Sequence, residues 1–288
     1  MKVSSFIMLA LIALIFASCD NNLSEMQITG NNTKFPINPR SEKIGSTKFI
    51  YHGKVYESTY IIVEDSIRLY QNPEVNKLAQ LFDYTPGLVS FYYPNMEVEY
   101  FDSDKEFTEN FDEIKEKAKL ICQEQEDNNF NLRFEDDDIP DFDKPVDVIN
   151  HNAELWLYDD IALMDRREDL YLNRGESKLE WAHLQNRYNM NDKVSSFIAQ
   201  SISGVTMFEL YEDDNYKSHC MKFMLGSTSD IKISGVFSAT HSGRTVAHAL
   251  AVDLHDCEVA GTKRSTWNDR ITSVRISRVL SNDLLPNK

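Results

Sequence analysis

The amino-acid sequence predicts a multidomain protein, in which a small N-terminal α+β domain precedes an all-β sandwich. Residues 47–125 combine alternating, strand-like patterns with amphipathic helical patterns, which is typical of a mixed domain. Residues 151–280 contain a strand-rich unit that occurs twice. Residues 126–150 are acidic and interrupted by prolines, and this composition indicates a linker between the two domains.

The composition excludes two classes of protein. The chain of 288 residues contains 46 acidic and 30 basic residues, so its formal net charge at pH 7 is −16. A chain of this charge has no overall field that attracts nucleic-acid phosphates, and no basic patch in the sequence offsets it. Hydrophobic residues make up 42% of the chain, which is enough for ordinary folded cores. We therefore expect no nucleic-acid partner and no wholesale disorder.

The N-terminal residues have the pattern of a secretory signal peptide. Lys2 precedes an apolar run over residues 6–16, and polar residues follow Cys19 at once. This run is too short to span a bilayer, which takes about 20 apolar residues. The stretch from Phe16 to Cys19 resembles the lipobox of bacterial lipoproteins, although Phe16 replaces the usual leucine. The resemblance implies a lipoprotein signal peptide over residues 1–18 and a fatty-acylated, for example palmitoylated, Cys19.

A lipidated Cys19 would anchor the chain to a membrane of the bacterial cell envelope, and we expect the outer membrane. Residues 19–46 are rich in Asn, Ser, Thr and Pro and have no apolar period. They are therefore expected to form a flexible tether between the anchor and the folded part. The alternative to lipidation is ordinary secretion, in which Cys19 has no role.

The domain over residues 47–125 is expected to begin with a β-hairpin around a His52-Gly53 turn. A short amphipathic helix follows Asn72-Pro73, and two further strands precede a second helix over residues 105–122. Ser103 and Glu106 form a capping box at the start of that helix. No catalytic or binding chemistry is evident in this domain.

The acidic run over residues 135–143 has two interpretations. Its carboxylates could chelate a cation, but the spacing lacks the glycine and the terminal glutamate of an EF-hand loop. A solvated linker is the favoured interpretation.

The repeated unit provides the most specific signal in the chain. The hexapeptide from Asn191 to Ser196 recurs as Asn268 to Ser273. Upstream of each copy, a strand pattern ends in an acidic turn, at residues 158–160 and at residues 211–213. The second unit is longer than the first, and the extra residues are expected between positions 230 and 262.

Each hexapeptide offers hard oxygen ligands on a tight turn. Its Asn and Asp are followed by hydroxyl side chains, and the backbone carbonyls between them supply further oxygens. Calcium favours such ligands, because it takes six to eight oxygens at flexible angles and needs neither nitrogen nor sulfur. One copy supplies only about three ligands, so the acidic turns at Asp159 and Glu212 are expected to complete the sites. Simple Asx and hydroxyl turns between strands are the alternative.

The arrangement resembles the βγ-crystallin domain over residues 153–278. That family is marked by two Greek-key motifs, each with an [N/D]-[N/D]-x-x-[S/T]-S stretch, and both hexapeptides match it at every specified position. Residues 211–216 also match the Tyr-Glu-Asp-x-Asn-Tyr turn of the family. The chain departs from the family pattern at Asp165 and Ser218, where a glycine is usual. The resemblance implies an all-β Greek-key sandwich with two calcium sites, each built where the two motifs cross.

The resemblance also implies the ligands of these sites. Asp192, the Lys193 carbonyl and the Ser195 hydroxyl would serve one motif. Asp269, the Arg270 carbonyl and the Thr272 hydroxyl would serve the other, and each site would add a carbonyl from the turn of the other motif. The implied metal-binding set is Asp159, Asn191, Asp192, Lys193, Ser195, Glu212, Asn268, Asp269, Arg270 and Thr272.

Two cysteines, Cys220 and Cys257, lie in the second motif. The expected compartment is oxidising, so a disulfide between them is plausible. Two separate buried thiols are the equally weighted alternative.

The sequence contains no nucleophile elbow, phosphate-binding glycine loop, zinc-protease motif or redox Cys-x-x-Cys motif. It therefore predicts a membrane-anchored, calcium-binding protein that is not an enzyme, in which calcium stabilises the β domain for work with an unknown protein or glycan partner. One alternative is a protease inhibitor with an exposed loop over residues 238–248. Another is a glycan- or envelope-binding module whose platforms are Trp156, Trp181 and Trp267.

Overall fold

The computed structural model describes one compact unit within Glu42–Lys288. The described residues are 44–63, 67–127, 150–160, 163, 167–185, 190–227, 232–233, 237–241, 244–254, 257, 261 and 266–279. The expected signal peptide, the tether up to residue 43, Cys19, Asp165 and the acidic run lie outside these residues. Among the described residues, no helix is both long and apolar enough to cross a membrane.

The structure consists mostly of β-strands with few helices, as the sequence predicts for the larger part of the chain. The first part of the chain forms β1 (Ile44–Tyr51), β2 (Lys54–Val63), β3 (Ile67–Tyr70), α1 (Pro73–Phe82), β4 (Val89–Tyr92), β5 (Val98–Phe101), α2 (Asp104–Glu109) and α3 (Phe111–Asp127). The first repeated unit forms β6 (His151–Tyr158), β7 (Arg167–Asn173), β8 (Lys178–Trp181) and β9 (Ser196–Ser201). The second unit forms β10 (Gly204–Asp213), β11 (Lys217–Ser227), β12 (Lys232–Ile233), β13 (Phe237–His241), β14 (Arg244–Asp253) and β15 (Ser273–Arg278).

Local sequence signals explain the hairpin and the first helix. His52 and Gly53 have φ angles of 48° and 72°, so both central residues of the β1–β2 turn take the left-handed conformation that a tight hairpin requires. Asn72 caps α1, because its side chain accepts a hydrogen bond from the backbone N–H of Glu74 at 3.0 Å. Both predictions are confirmed.

The single helix predicted over residues 105–122 is wrong, because the chain forms two helices that meet at Asn110. The side-chain amide of Asn110 donates to the carbonyl of Glu106 at 2.8 Å, and such local bonding disfavours an uninterrupted helix. The expected cap is present, since Ser103 Oγ accepts from the backbone N–H of Glu106 at 3.2 Å. The carboxylate of Glu106 accepts in turn from the backbone N–H of Asp102 at 2.6 Å.

The strands form two sheets. The first sheet has the order β3-β2-β1-β5-β4-β11-β10-β15-β8, with β12 paired to β11. The second sheet has the order β13-β14-β9-β6-β7. The strand β8 of the first unit pairs with β15 of the second unit, and β14 of the second unit pairs with β9 of the first. The first unit therefore contributes β8 to the sheet of the second unit, and the second unit contributes β13 and β14 to the sheet of the first.

The two parts predicted as separate domains, residues 47–125 and 151–280, share the first sheet. β4 pairs with β11 in parallel, in register from Val89 opposite Cys220 to Tyr92 opposite Phe223. Without β4, this edge of β11 would expose unpaired backbone groups. The boundary expected at residues 126–150 therefore does not divide two independent sheets.

Two buried clusters cover the two faces of the first sheet. Between the sheets lie apolar side chains from both repeated units, among them Phe197, Phe208 and Phe223, whose rings stack. The opposite face packs against α2 and α3 through side chains that include Phe107 and Met224. A sheet that is buried on both faces needs nearly continuous apolar strands, and β11 has such a sequence.

A buried pair of charged side chains, Lys222 and Glu209, lies within the second of these clusters. Lys222 of β11 is buried, and its ammonium group contacts the carboxylates of Glu209 and Asp104. Arg275 Nη1 lies 3.5 Å from a Glu209 oxygen. These contacts hold the pKa of the Lys222 ammonium above its usual value, although burial alone would lower it. Lys222 thereby joins β11 to the start of α2.

We expect Lys222→Met to lower the free energy of unfolding by about 3 kcal/mol, because Glu209 would stay buried without its ammonium partner. Urea denaturation of the full chain measures this loss. Lys217→Met, at the exposed start of the same strand, is the matched control and should change stability by less than about 0.5 kcal/mol. Equal losses in the two variants would contradict a stabilising role for the buried pair.

Candidate metal centre

Both hexapeptides form the same tight turn. Asp192 and Asp269 have left-handed φ angles of 51° and 55°, which Asp tolerates better than most residues. In each copy, the preceding Asn donates its side-chain N–H to the Asp carboxylate at 2.8 Å. The repeat in the sequence is therefore also a repeat in local structure.

The hydroxyls of each hexapeptide bond to the acidic turn of the same repeated unit. Ser195 Oγ donates to the carbonyl of Asp159 at 3.0 Å, and Thr272 Oγ1 donates to the carbonyl of Glu212 at 3.0 Å. The assignment implied by the resemblance takes this carbonyl from the other motif. The structure instead pairs each hydroxyl with the turn of its own unit, because the hexapeptide directly precedes a strand that pairs with the strand ending in that turn.

The last serine of each hexapeptide holds the acidic turn closed. Ser196 Oγ donates to the carbonyl of Asp160 at 2.6 Å and accepts from the backbone N–H of Leu163 at 3.1 Å. In the second unit, Ser273 Oγ forms the equivalent pair of bonds at 2.7 and 3.1 Å. A buried serine thus satisfies two backbone groups in each unit.

Ser218 stands where the βγ-crystallin family has a glycine, and it adopts a φ angle of 62°. The left-handed backbone that a glycine would favour is therefore retained with a serine at this position. Its hydroxyl contacts the Glu212 carboxylate at 3.3 Å, which anchors the side chain against the turn.

The Ser195 cluster consists of Asp159, Lys193, Ser195 and Asp269. Ser195 Oγ lies 3.0 Å from the Asp159 carbonyl oxygen, 3.4 Å from the Lys193 carbonyl oxygen and 3.0 Å from Asp269 Oδ1. Asp269 belongs to the second hexapeptide, and its backbone N–H donates to the Val194 carbonyl at 3.1 Å. The side-chain group that crosses between the repeated units is therefore a carboxylate.

The Thr272 cluster consists of Asp192, Glu212, Arg270 and Thr272. Burial is the largest cause that raises the pKa of Asp192, and the negative charges of the turn after β10 raise it further. Asp192 thus faces the acidic turn of the second unit, just as Asp269 faces the first unit. The Glu212 side chain is engaged elsewhere, because one oxygen pairs with Arg270 Nη1 at 2.9 Å. Glu212 therefore offers its carbonyl to this cluster rather than its carboxylate.

The first residue of each hexapeptide carries a buried oxygen that no hydrogen bond satisfies. These oxygens are Asn191 Oδ1 and Asn268 Oδ1, and they have no partner among the described residues. Buried polar atoms of this kind are rare and often indicate a water or an ion. Their equivalence in the two units, together with the oxygen-only donor set, fits calcium better than zinc.

The two cysteines named in the sequence do not form a disulfide. Cys220 lies in the cluster beneath α2 and α3, whereas Cys257 lies in the cluster between the sheets. The first sheet separates these clusters, so the alternative of two separate buried thiols is confirmed. Burial also raises the pKa of the Cys220 thiol well above its usual value.

The structure describes most of the residues named for the two alternative functions. Trp156 and Trp267 are buried, and Trp181 packs against the cluster between the sheets, so none of the three forms an exposed platform for a sugar. The stretch over residues 238–248 lies mainly in β13 and β14, which pair as a hairpin. The tip of that hairpin, residues 242–243, lies outside the described residues.

No family model, no curated protein and no solved structure matches this chain. The resemblance to the βγ-crystallin domain therefore remains an interpretation of the motifs.

We expect Ser196→Ala to lower the free energy of unfolding by about 1 kcal/mol, because two backbone groups of the acidic turn would lose their hydrogen bonds to the buried hydroxyl. Ser273→Ala should cause a similar loss, since it removes the equivalent bonds of the second unit. The exposed Ser203 provides the matched control, and Ser203→Ala should leave the urea midpoint nearly unchanged. A midpoint that stays unchanged in the two buried variants would refute the role assigned to these serines.

Proposed function

We propose that this chain is a calcium-binding, βγ-crystallin-like protein that is anchored to the bacterial cell envelope through Cys19. In this proposal, the repeated units form two Greek-key motifs that exchange β8 and β14. Calcium stabilises the β-sandwich, and the protein works by binding rather than by catalysis. The observation that carries the proposal is the contact of Ser195 with oxygens from both repeated units.

The Ser195 hydroxyl has one hydrogen but three oxygen acceptors within 3.4 Å. A single hydrogen cannot be donated fully to all three acceptors at once. A divalent cation in the cluster would satisfy the two carbonyls, the hydroxyl and the Asp269 carboxylate together. The geometry thus supports a cation at this point more than it supports a set of simple turns.

Calcium at the Ser195 cluster would link three distant segments of the chain. Asp159 follows β6, Ser195 precedes β9, and Asp269 precedes β15 of the other sheet. Because the unfolded chain does not hold these segments together, binding energy would contribute directly to folding stability. Calcium would therefore hold the two sheets together at this point.

The ligand charge indicates a modest affinity. The Ser195 cluster contains one carboxylate in contact with the central hydroxyl, and its other oxygens are neutral. Affinity for calcium rises with the number of charged ligands, and extracellular modules with few of them bind at about 10⁻⁴ to 10⁻³ M. Such a range suits an envelope protein that meets external calcium.

The two clusters should differ in affinity. Arg270 places its guanidinium on Glu212, 2.9 Å from a carboxylate oxygen, beside the Thr272 cluster. A fixed positive charge near a site weakens the binding of a cation. We therefore assign the stronger calcium site to the Ser195 cluster and the weaker one to the Thr272 cluster.

Calorimetric titration of the chelator-treated full chain should reveal two calcium sites. The full chain is required because β4 of the first part pairs with β11. Asp269→Asn should weaken the stronger site at least about tenfold, because the crossing carboxylate loses its charge. Asp112→Asn, on the exposed side of α3, is the control and should bind calcium like the wild type.

The same proteins should differ in thermal stability. At free calcium of about 100 times the dissociation constant, one site contributes about 2.7 kcal/mol, so the wild type should melt at a higher temperature than it does in chelator. Asp269→Asn should lose most of this gain. A wild type without binding heat and without a calcium-dependent melting shift would overturn the proposed function.

Metabolic labelling with a radioactive or clickable fatty acid tests the proposed anchor. The wild-type chain expressed in bacteria should incorporate the label and fractionate with membranes, because a lipidated cysteine holds a protein at the bilayer. Cys19→Ser should abolish both results, while Asn22→Ser, outside the lipobox, should preserve them. Label that persists in Cys19→Ser would show that Cys19 is not the lipidated residue.

A further inference from the structure

A second cluster of metal-ligating side chains lies far from the two hexapeptides, in the first part of the chain. The His52 cluster consists of His52, Asp102 and Glu106. His52 Nε2 lies 3.3 Å from Asp102 Oδ2 and 3.4 Å from Glu106 Oε1. The three ligand atoms all lie within 4.8 Å of one another, so one ion could contact all of them.

Three different elements bring these side chains together. His52 lies in the β1–β2 turn with a left-handed φ of 48°, Asp102 follows β5 directly, and Glu106 lies in the first turn of α2. β1 and β5 pair in parallel with Tyr51 opposite Tyr100, so the C-terminal ends of the two strands lie side by side. The cluster therefore results from the tertiary fold rather than from one acidic stretch of sequence.

One oxygen of each carboxylate accepts a hydrogen bond from a neighbouring group, and the other oxygen points into the cluster. Tyr51 donates its hydroxyl to Asp102 Oδ1 at 2.7 Å, and the backbone N–H of Asp102 donates to Glu106 Oε2 at 2.6 Å. The His52 ring stacks on the Tyr51 ring, with centroids 4.0 Å apart. The atoms that remain, Oδ2, Oε1 and Nε2, are the three that converge. Such support by outer contacts is typical of metal ligands.

Two of the three ligand separations match a small tetrahedral ion. Ligands that lie 2.0 to 2.1 Å from a tetrahedral zinc are separated by about 3.3 to 3.4 Å, and the two measured N···O distances are 3.3 and 3.4 Å. An imidazole nitrogen with carboxylate oxygens is a donor set that zinc accepts, whereas calcium takes oxygen ligands alone. The chemistry of this cluster thus differs from that of the Ser195 cluster.

The cluster opens onto a groove of about 610 Å³, which His52 and Glu106 help to line. Glu97, Glu99 and Glu113 also line this groove, as does Lys117, whose ammonium lies 3.4 Å from a carboxylate oxygen of both Glu97 and Glu99. Together with Glu106, the groove carries four carboxylates against one ammonium, and this excess of negative charge favours the approach of cations. Three protein ligands leave a fourth tetrahedral position free, as in zinc sites that bind water or substrate. In this cluster, the free position would be open to the groove.

We propose that His52, Asp102 and Glu106 bind a zinc-class divalent cation through Nε2, Oδ2 and Oε1, with one coordination position open to the acidic groove. The bound ion accepts water, or an oxygen or nitrogen atom of a molecule in the groove, at that position. An ion pair between a protonated imidazole and the two carboxylates is the competing explanation of the same contacts.

Zinc titration of the chelator-treated full chain, in the presence of saturating calcium, tests this proposal. We expect one zinc ion per chain, and His52→Asn should weaken its binding at least about 100-fold. Asn is well tolerated at a left-handed position, so this variant should fold. Glu106→Gln should also weaken zinc binding, while its amide oxygen can still accept the hydrogen bond from Asp102.

Two further variants separate metal binding from simple ion pairing. Tyr51→Phe removes the hydroxyl that supports Asp102 and should weaken zinc binding about 10- to 100-fold, as is typical when an outer contact of a metal ligand is lost. His183 lies 3.1 Å from a carboxylate oxygen of Asp214, so His183→Asn is the matched control and should leave zinc binding unchanged. Cobalt bound in place of zinc should give the intense visible absorption of a tetrahedral site.

The proposal is overturned if the folded wild type binds no zinc, if His52→Asn binds it as tightly as the wild type, or if His183→Asn abolishes binding. Asp269→Asn should bind zinc normally, since it belongs to the calcium site of the proposed function. Failure of the zinc site and failure of the calcium sites can therefore be told apart.

Discussion

Burial of both faces of β10 and β11 is the constraint on which the rest of this structure depends. One face of these strands packs against the second sheet through residues such as Phe208 and Phe223, and the other packs beneath α2 and α3 through residues such as Met207 and Met224. Apolar surface of this extent would destabilise an exposed sheet. The first part of the chain is therefore a structural layer of the β-sandwich, to which it contributes β4 and the covering helices.

This covering layer explains where the buried charges lie. Lys222 stands among apolar residues of the helix-facing cluster, and its contacts with Glu209 and Asp104 compensate for the loss of water. Arg275 extends the network to Glu180 at 3.0 Å and packs its guanidinium over the Tyr216 ring at 4.5 Å. A network of this kind depends on an exact register between sheet and helix, and so it favours one arrangement of the two parts.

The Ser195 cluster and the His52 cluster are assembled in the same way from different ligands. In both, a turn or strand end from one part of the chain meets a carboxylate from another part, and hydrogen bonds from neighbouring groups hold the carboxylates in place. The Ser195 cluster collects oxygens, which suits calcium, whereas the His52 cluster includes an imidazole, which suits zinc. The net charge of −16 assists both by lowering the cost of bringing in a dication.

The sequence by itself determined the local features, because these depend on neighbouring residues. The His52-Gly53 hairpin, the Asn72 cap, the Ser103 cap and the repeated Asn-Asp turns all follow from side chains that act within a few positions. The pairing of β4 with β11, the separation of Cys220 from Cys257, and the crossing of Asp269 to Ser195 depend on residues that are distant in the chain. The His52 cluster was likewise invisible in the sequence, since its ligands lie in a hairpin turn, directly after a distant strand and in a helix, with no motif spacing. Only the tertiary structure decided these contacts, because they arise when apolar faces are buried together and bring remote polar groups within bonding distance.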